Sequence, residues 1–176
     1  IGFDTGPGMA LIDECCEKFY GEPIDRDGIH AKQGKVNEDI LSELIAYEFI
    51  QKSPPKSTGR HEFGKGLVNR IIKKYSHVSP DDLVRTFCIF TAKSIAENMN
   101  KFLNFNISDV RMIVSGGGIY HPMLMKDIQK YTRISELRTV NSHGIQPDYK
   151  EALLIAVLGV AHIQEMTANI PTTTGA

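Results

Sequence analysis

Asp4 stands in Gly2-Phe3-Asp4-Thr5-Gly6-Pro7-Gly8, a glycine-rich turn between an apolar lead-in and a helix-like repeat. A carboxylate held there can meet a ligand, because glycines at 6 and 8 let the backbone approach a bound group without Cβ clashes and Pro7 stiffens the turn. The same Asp could instead cap the helix that follows, and the turn alone leaves both readings open. A second cluster, Ser115-Gly116-Gly117-Gly118, lies between the apolar run Val110, Met112, Ile113, Val114 and a helix-like run from about Pro122 to Tyr131. The run reads as a short buried strand. Strand, glycine turn and helix let a flat base or a phosphate lie against the main chain, and helix amino termini favour anions. A triple glycine also serves as a tight connection. His121, opening the helix beside that turn, suits either a phosphate contact or a capping and packing role.

A third candidate is the loop Ser53-Pro54-Pro55-Lys56-Ser57-Thr58-Gly59-Arg60. Adjacent prolines and a glycine exclude regular structure. Lys56, Ser57, Thr58 and Arg60 could contact an anion or a sugar, and the segment could equally be a rigid surface connection.

These turns must be held by helices. Leu11, Ile12, Cys15, Cys16, Phe19 and Tyr20 recur at helical spacing, so a first helix begins just after the Asp4 turn. Gly21 to Gly34 is polar, with Asp25-Arg26-Asp27-Gly28 as a tight turn. Helical patterns follow at about Asn37 to Phe49 and Gly66 to Tyr75. Ser79-Pro80-Asp81-Asp82 combines an N-cap serine, a first-position proline and two first-turn acids, and it predicts a long central helix carrying a stripe from Leu83 to Leu103. A last helix is predicted from about Asp148 to Met166, with Ala152, Leu153, Ala156, Val157 and Val160 on its inner face. Helices interleaved with two or three short strands indicate an α/β architecture with glycine turns at strand ends.

At 176 residues the chain is sized for one domain. Twenty basic against 21 acidic residues, a net charge of -1, give no electrostatic footprint for nucleic acid or an anionic membrane. Three cysteines inside helical apolar patterns argue against disulfides and zinc, and point to small core residues in a reducing compartment. The histidines lack metal-ligand spacing. No apolar run is long enough to span a membrane. The chain opens without Met on what reads as the end of a strand, which suggests an N-terminal truncation.

Taken together, Gly2 to Gly8, the Pro54 to Arg60 loop, Asp25 to Gly28 followed by Gly34-Lys35-Val36, Ser115 to Gly118, Pro147-Asp148 with Glu151-Ala152, and the ending Asn169 to Ala176 resemble the anhydro-N-acetylmuramic acid kinase family. The resemblance covers nearly the whole chain. It implies the actin and hexokinase-like ATPase fold, of which this chain resembles the later part of the second, C-terminal lobe: a short mixed sheet packed by helices, with the N-terminal ATP-binding lobe absent. It implies cytoplasmic cell-wall recycling, in which water opens the 1,6-anhydro bridge while ATP with Mg²⁺ phosphorylates O6. Asp4 matches the general base. Asp4, Thr5 and Gly6 are implied to face the sugar, Glu151 the sugar or the metal and water network, and Gly116, Gly117 and Gly118 the adenosine; a first-turn helix-stabilising role suits Glu151 equally. Met9 replaces the usual Asn after the first turn, and Tyr120-His121 replaces His-Asn. A levoglucosan kinase and a non-catalytic interaction module are the alternatives. The resemblance also allows a homodimer.

Overall fold

The computed structural model describes residues 2–104, 106 and 109–168, so the ending Asn169 to Ala176 lies outside the described residues. Its hub is the long helix foreseen from Ser79. Here α6 (Pro80–Phe102) starts with the Ser79 hydroxyl accepting the Asp82 amide at 3.2 Å, Pro80 in the first turn and two acids at the positive end of the helix dipole. Leu83, Val84, Phe87, Cys88 and Phe90 are all buried, as a helix must be when neighbours pack on several of its sides.

Those neighbours are α1 (Ala10–Tyr20), α2 (Ile29–Gln33), α3 (Glu38–Ile45) and α7 (Pro122–Thr132). Leu11, Ile12, Cys15 and Cys16 of α1 are fully buried, and the helix stops at Gly21, whose φ of +67° is easily reached without a side chain. Asp81 of α6 accepts from Tyr20 at 2.6 Å and pairs with His30 at 2.9 Å, tying α1 and α2 to the hub. Arg85 of α6 and the buried Asp127 of α7 form a two-point pair, the longer contact 3.1 Å.

The single helix expected from Asn37 to Phe49 is two, α3 and the short α4 (Glu48–Gln51). The chain straightens at Tyr47 (ψ 134°), whose ring packs on Phe63 with centroids 5.6 Å apart, so a tertiary contact overrides the helical pattern. α5 (Lys65–Lys74) packs on α1.

Among the described residues the sheet has two strands, β1 (Arg111–Val114) and β2 (Glu136–Thr139), parallel and in register from Arg111 opposite Glu136 to Val114 opposite Thr139. With α7 between them they form a βαβ unit, and the glycine turn sits at the carboxyl end of β1, where ligands meet open α/β sheets. The strand exists where the apolar run predicts it, but it is not buried: Ile113 is 53% exposed.

The last helix departs further from expectation. α8 (Lys150–Ile163) forms, yet the inner face proposed for Ala152, Leu153, Ala156, Val157 and Val160 touches no core; all five are exposed. Its sequence is apolar on every side, the signature of a helix meant to be enclosed.

Candidate functional site

The turn bearing Asp4 is fastened to α6 by Thr91 and Asn98, with Ser94 packed between them at helical spacing. The Thr91 hydroxyl donates to the Gly8 carbonyl at 2.8 Å, and the Asn98 amide donates to the Thr5 carbonyl at 3.3 Å. Between them Gly6 lies so close to Ser94 that a Cβ would stand 2.6 Å from its hydroxyl oxygen. Gly6 is therefore required by backbone approach to the helix, whatever else it meets.

Asp4 does not cap α1, which begins only at Ala10 and has no side-chain cap. Its carboxylate instead meets the proline-rich loop. The Ser57 hydroxyl and the Thr58 amide both donate to Oδ2 at 2.8 Å, while the Asp4 amide donates to the Lys56 carbonyl at 3.1 Å. Two donors on one oxygen fix the plane of the carboxylate and leave Oδ1 available for a proton. The group borders a cavity of about 310 Å³ lined also by Gly6, Gly8, Thr58, Gly59 and Arg60.

Within the loop the four candidate side chains part company. Ser57 and Thr58 serve the carboxylate, and the Thr58 hydroxyl donates to Glu62 at 2.6 Å. Arg60 reaches Glu14 at 3.5 Å and stays largely exposed beside the cavity. Lys56 points the other way, 6% exposed, donating to the carbonyls of Phe49 (3.0 Å) and Ile50 (3.2 Å) and lying 4.8 Å from the Phe49 ring centroid. Its ammonium is an internal anchor for the loop, not the anion contact its type suggested.

On the other side of the α1 start, a cavity of about 590 Å³ lies against the glycine turn. Gly8 borders the first cavity and Met9 the second, so this turn is the partition between them. Gly116 has φ +87°, and a Cβ on Gly116 or Gly117 would meet nothing within 4 Å; on Gly118 it would come within 3.4 Å of Leu124 and 3.5 Å of Met9. The turn thus offers two residues of bare main chain, of which Gly117 lines the cavity.

The rest of the lining is acidic: Asp13, Asp25, Asp27 and Asp148 stand in it together with Arg26. One oxygen of Asp13 is buried and has no hydrogen-bond partner. Burial raises the Asp13 pKa to about 6, against the opposing pull of Arg60. Such a wall repels phosphate and accepts hydrogen bonds, which suits the hydroxyls and amine of a nucleoside; the bare glycine floor suits a flat base. The residues present therefore fit the nucleoside end of a nucleotide.

Glu151 is exposed in the first turn of α8 and lines neither cavity, so the structure does not bring it to Asp4. Thr5 contributes its carbonyl to the anchoring, and Asp4, Gly6 and Gly117 lie on the cavities. Thr91, Ser94 and Asn98 were missed as site-building residues; their spacing along an otherwise apolar face was the available signal. Among the described residues no cluster of His, Cys, Asp or Glu could hold a metal ion. A Mg²⁺ carried on a triphosphate draws ligands mainly from phosphate and water, so it demands little of such a cluster. The three thiols are buried, and burial pushes Cys15 up to about 12 and the others higher, leaving them unreactive. No helix among the described residues is long and apolar enough to cross a membrane.

The chain as a whole is similar to known proteins. The family model for anhydro-N-acetylmuramic acid kinase matches residues 1–176. The anhydro-N-acetylmuramic acid kinase of Clostridioides difficile (strain 630) is 34% identical over 176 residues, covering all of this chain and 46% of the relative. That of Caldanaerobacter subterraneus subsp. tengcongensis is 38% identical over 180 residues, again across the whole chain and 46% of the relative. That of Vibrio parahaemolyticus serotype O3:K6 is 36% identical over 175 residues, with 99% and 46% covered. The chain spans about half the length of the curated relatives it matches. This coverage gives no support to the expected placement in the later, C-terminal lobe, and the chain stands simply as about half of a family-length polypeptide. With the family model spanning every residue, the chain belongs to the anhydro-N-acetylmuramic acid kinase family.

Proposed function

We propose that this chain supplies the base-bearing half of an ATP-dependent kinase, of the actin and hexokinase-like ATPase fold, that opens the 1,6-anhydro bridge of anhydro-N-acetylmuramic acid with water and phosphorylates O6. The observation that carries the reading is the Asp4 carboxylate, held through Oδ2 by Ser57 and Thr58 at the edge of a cavity with Oδ1 left for a proton. A carboxylate oriented in this way accepts the proton of a water attacking the anomeric carbon, so that the C1–O6 bond breaks as O6 takes up the phosphoryl group. ATP with Mg²⁺ supplies that phosphoryl group when bound. The glycine turn receives the nucleoside, and the partition at Gly8 and Met9 sets nucleoside and base on opposite flanks of one rigid turn.

In a family-length polypeptide, Asp4→Asn is expected to lower turnover by about 10² to 10⁴-fold while ATP affinity changes little. A folded Asp4→Asn enzyme with near-parental turnover would remove Asp4 from the mechanism. Gly117→Val places a branched side chain on the bare floor and is expected to weaken ATP binding by about tenfold or more in calorimetry, as the loss of 1.4 kcal/mol implies. Turnover of levoglucosan beside anhydro-N-acetylmuramic acid tests the sugar, and the larger substrate is expected to be preferred.

A further inference from the structure

The two walls of the larger cavity come from distant parts of the chain, and one buried pair joins them. His121, directly after the Gly117–Tyr120 turn, is 2% exposed; Asp25, ahead of the Arg26–Gly28 turn, is 3% exposed. Their side chains meet at 3.1 Å between Nε2 and Oδ2. The other ring nitrogen, Nδ1, accepts the Leu124 amide at 3.0 Å and so caps α7. With Nδ1 used as an acceptor, the neutral ring carries its proton on Nε2 and donates it to Asp25.

Asp25 is held equally firmly. Its Oδ1 accepts the His30 amide at 2.9 Å and its Oδ2 the Ala31 amide at 3.0 Å, at the start of α2. Burial opposes its ionisation, but the His121 ring and these two amides outweigh burial and keep its carboxyl below the usual range. Gly28 lies against the same imidazole, where a Cβ would come within 3.2 Å of Cε1. The ring is therefore packed as well as hydrogen-bonded. Ile24 to Asp27 line one side of the cavity, Gly117 and Tyr120 the other, and the pair is the direct bond between them.

We propose that His121 and Asp25 act as a clasp that sets the spacing of these two walls, making them positioning residues for the nucleotide. The inference rests on the reading of the glycine turn as the nucleoside site. A merely structural histidine would matter through its helix cap; a clasp matters through its reach to Asp25.

Two substitutions separate these roles in a family-length polypeptide. His121→Asn keeps a capping acceptor for the Leu124 amide but is too short to bond Asp25, whereas His121→Gln extends an amide donor toward Asp25 and gives up the cap. The clasp predicts that His121→Asn raises the KM for ATP about tenfold with the KM for the anhydro sugar within about twofold, while His121→Gln keeps the ATP KM within about threefold of the parent. Parental ATP KM in His121→Asn, or an equal rise in both variants, would overturn it. Nitrogen-15 spectra of the parent protein add a test needing no variant: the Nε2–H tautomer is expected, and an Nδ1–H tautomer would overturn the arrangement. If instead Gly117→Val leaves ATP affinity unchanged, the nucleoside reading has failed, whatever the two His121 variants do.

Discussion

At the scale of single residues, Asp4 and Asp13 are carboxylates given opposite circumstances by their surroundings. Asp4 receives two hydrogen bonds on one oxygen. Removing the Ser57 hydroxyl leaves the Thr58 amide to orient the group alone, so Ser57→Ala is expected to reduce kcat about 10-fold, in line with the roughly 1.5–3 kcal/mol carried by a hydrogen bond to a charged group, with the ATP KM unchanged. Steady-state kinetics with both substrates checks this. Asp13 has a buried oxygen without a partner and a pKa raised from 3.8 to about 6, chiefly by burial. Below pH 3.8 it is protonated in both folded and unfolded chains and costs nothing. Between pH 3.8 and about 6 the unfolded chain ionises first, so stability falls as pH rises, and the full penalty is present above pH 6. Asp13→Asn is therefore expected to be more stable than the parent at pH 7.5, by on the order of 1 kcal/mol once solvent screening is allowed for, and equal to it near pH 3.5. Denaturant midpoints at the two pH values measure the difference.

At the scale of elements, α6 both organises the core and holds the turn that carries Asp4. Its apolar stripe was legible from Leu83 onward, because 3.6-residue periodicity survives in any packed helix. Thr91 falls within that stripe and is buried, but its hydroxyl is spent on the Gly8 carbonyl. Whether a buried threonine packs or bonds is decided by what lies opposite, which the helix's own sequence does not contain. The tightness of this seam gives a direct expectation. Gly6→Ala drives a Cβ to within 2.6 Å of the Ser94 hydroxyl oxygen and should destabilise by about 1–3 kcal/mol, with a Gly6→Ala/Ser94→Ala double variant recovering part of the loss. Chemical denaturation of Gly6→Ala, Ser94→Ala and the double variant reports the coupling.

At the scale of the whole molecule, α8 is the discordant element. Leu154, Ile155, Val157, Val160 and Ile163 are each more than half exposed on a helix that is apolar all round. The relatives are about twice as long as this chain, and a two-stranded sheet with an exposed Ile113 offers a further open face. We expect the 176-residue chain by itself to self-associate and to show no kinase turnover, since half of the ATPase fold proposed above neither excludes water nor orients the phosphates. Light scattering should fall for Leu154→Lys/Val157→Lys with the isolated chain's folding stability within about 0.5 kcal/mol of the parent, as for exposed positions. A monomeric, active parent chain would refute this expectation.

The sequence by itself determined the glycine turns, the start of α6 at Ser79, the strand–turn–helix unit around Gly116 and the family, because each depends on local backbone preference or on an ordered set of motifs. Only the tertiary structure decided that Asp4 bonds Ser57 and Thr58 instead of capping α1, and that Lys56 turns inward to Phe49 while Arg60 stays outside. It also decided that Tyr47 breaks a helix and that His121 reaches Asp25 across 96 positions. Such outcomes are set by which side chains meet across the fold, and periodicity and spacing describe one segment at a time. The same limit explains α8: its apolar sequence called for a core, while the partners that would make one are not among the described residues.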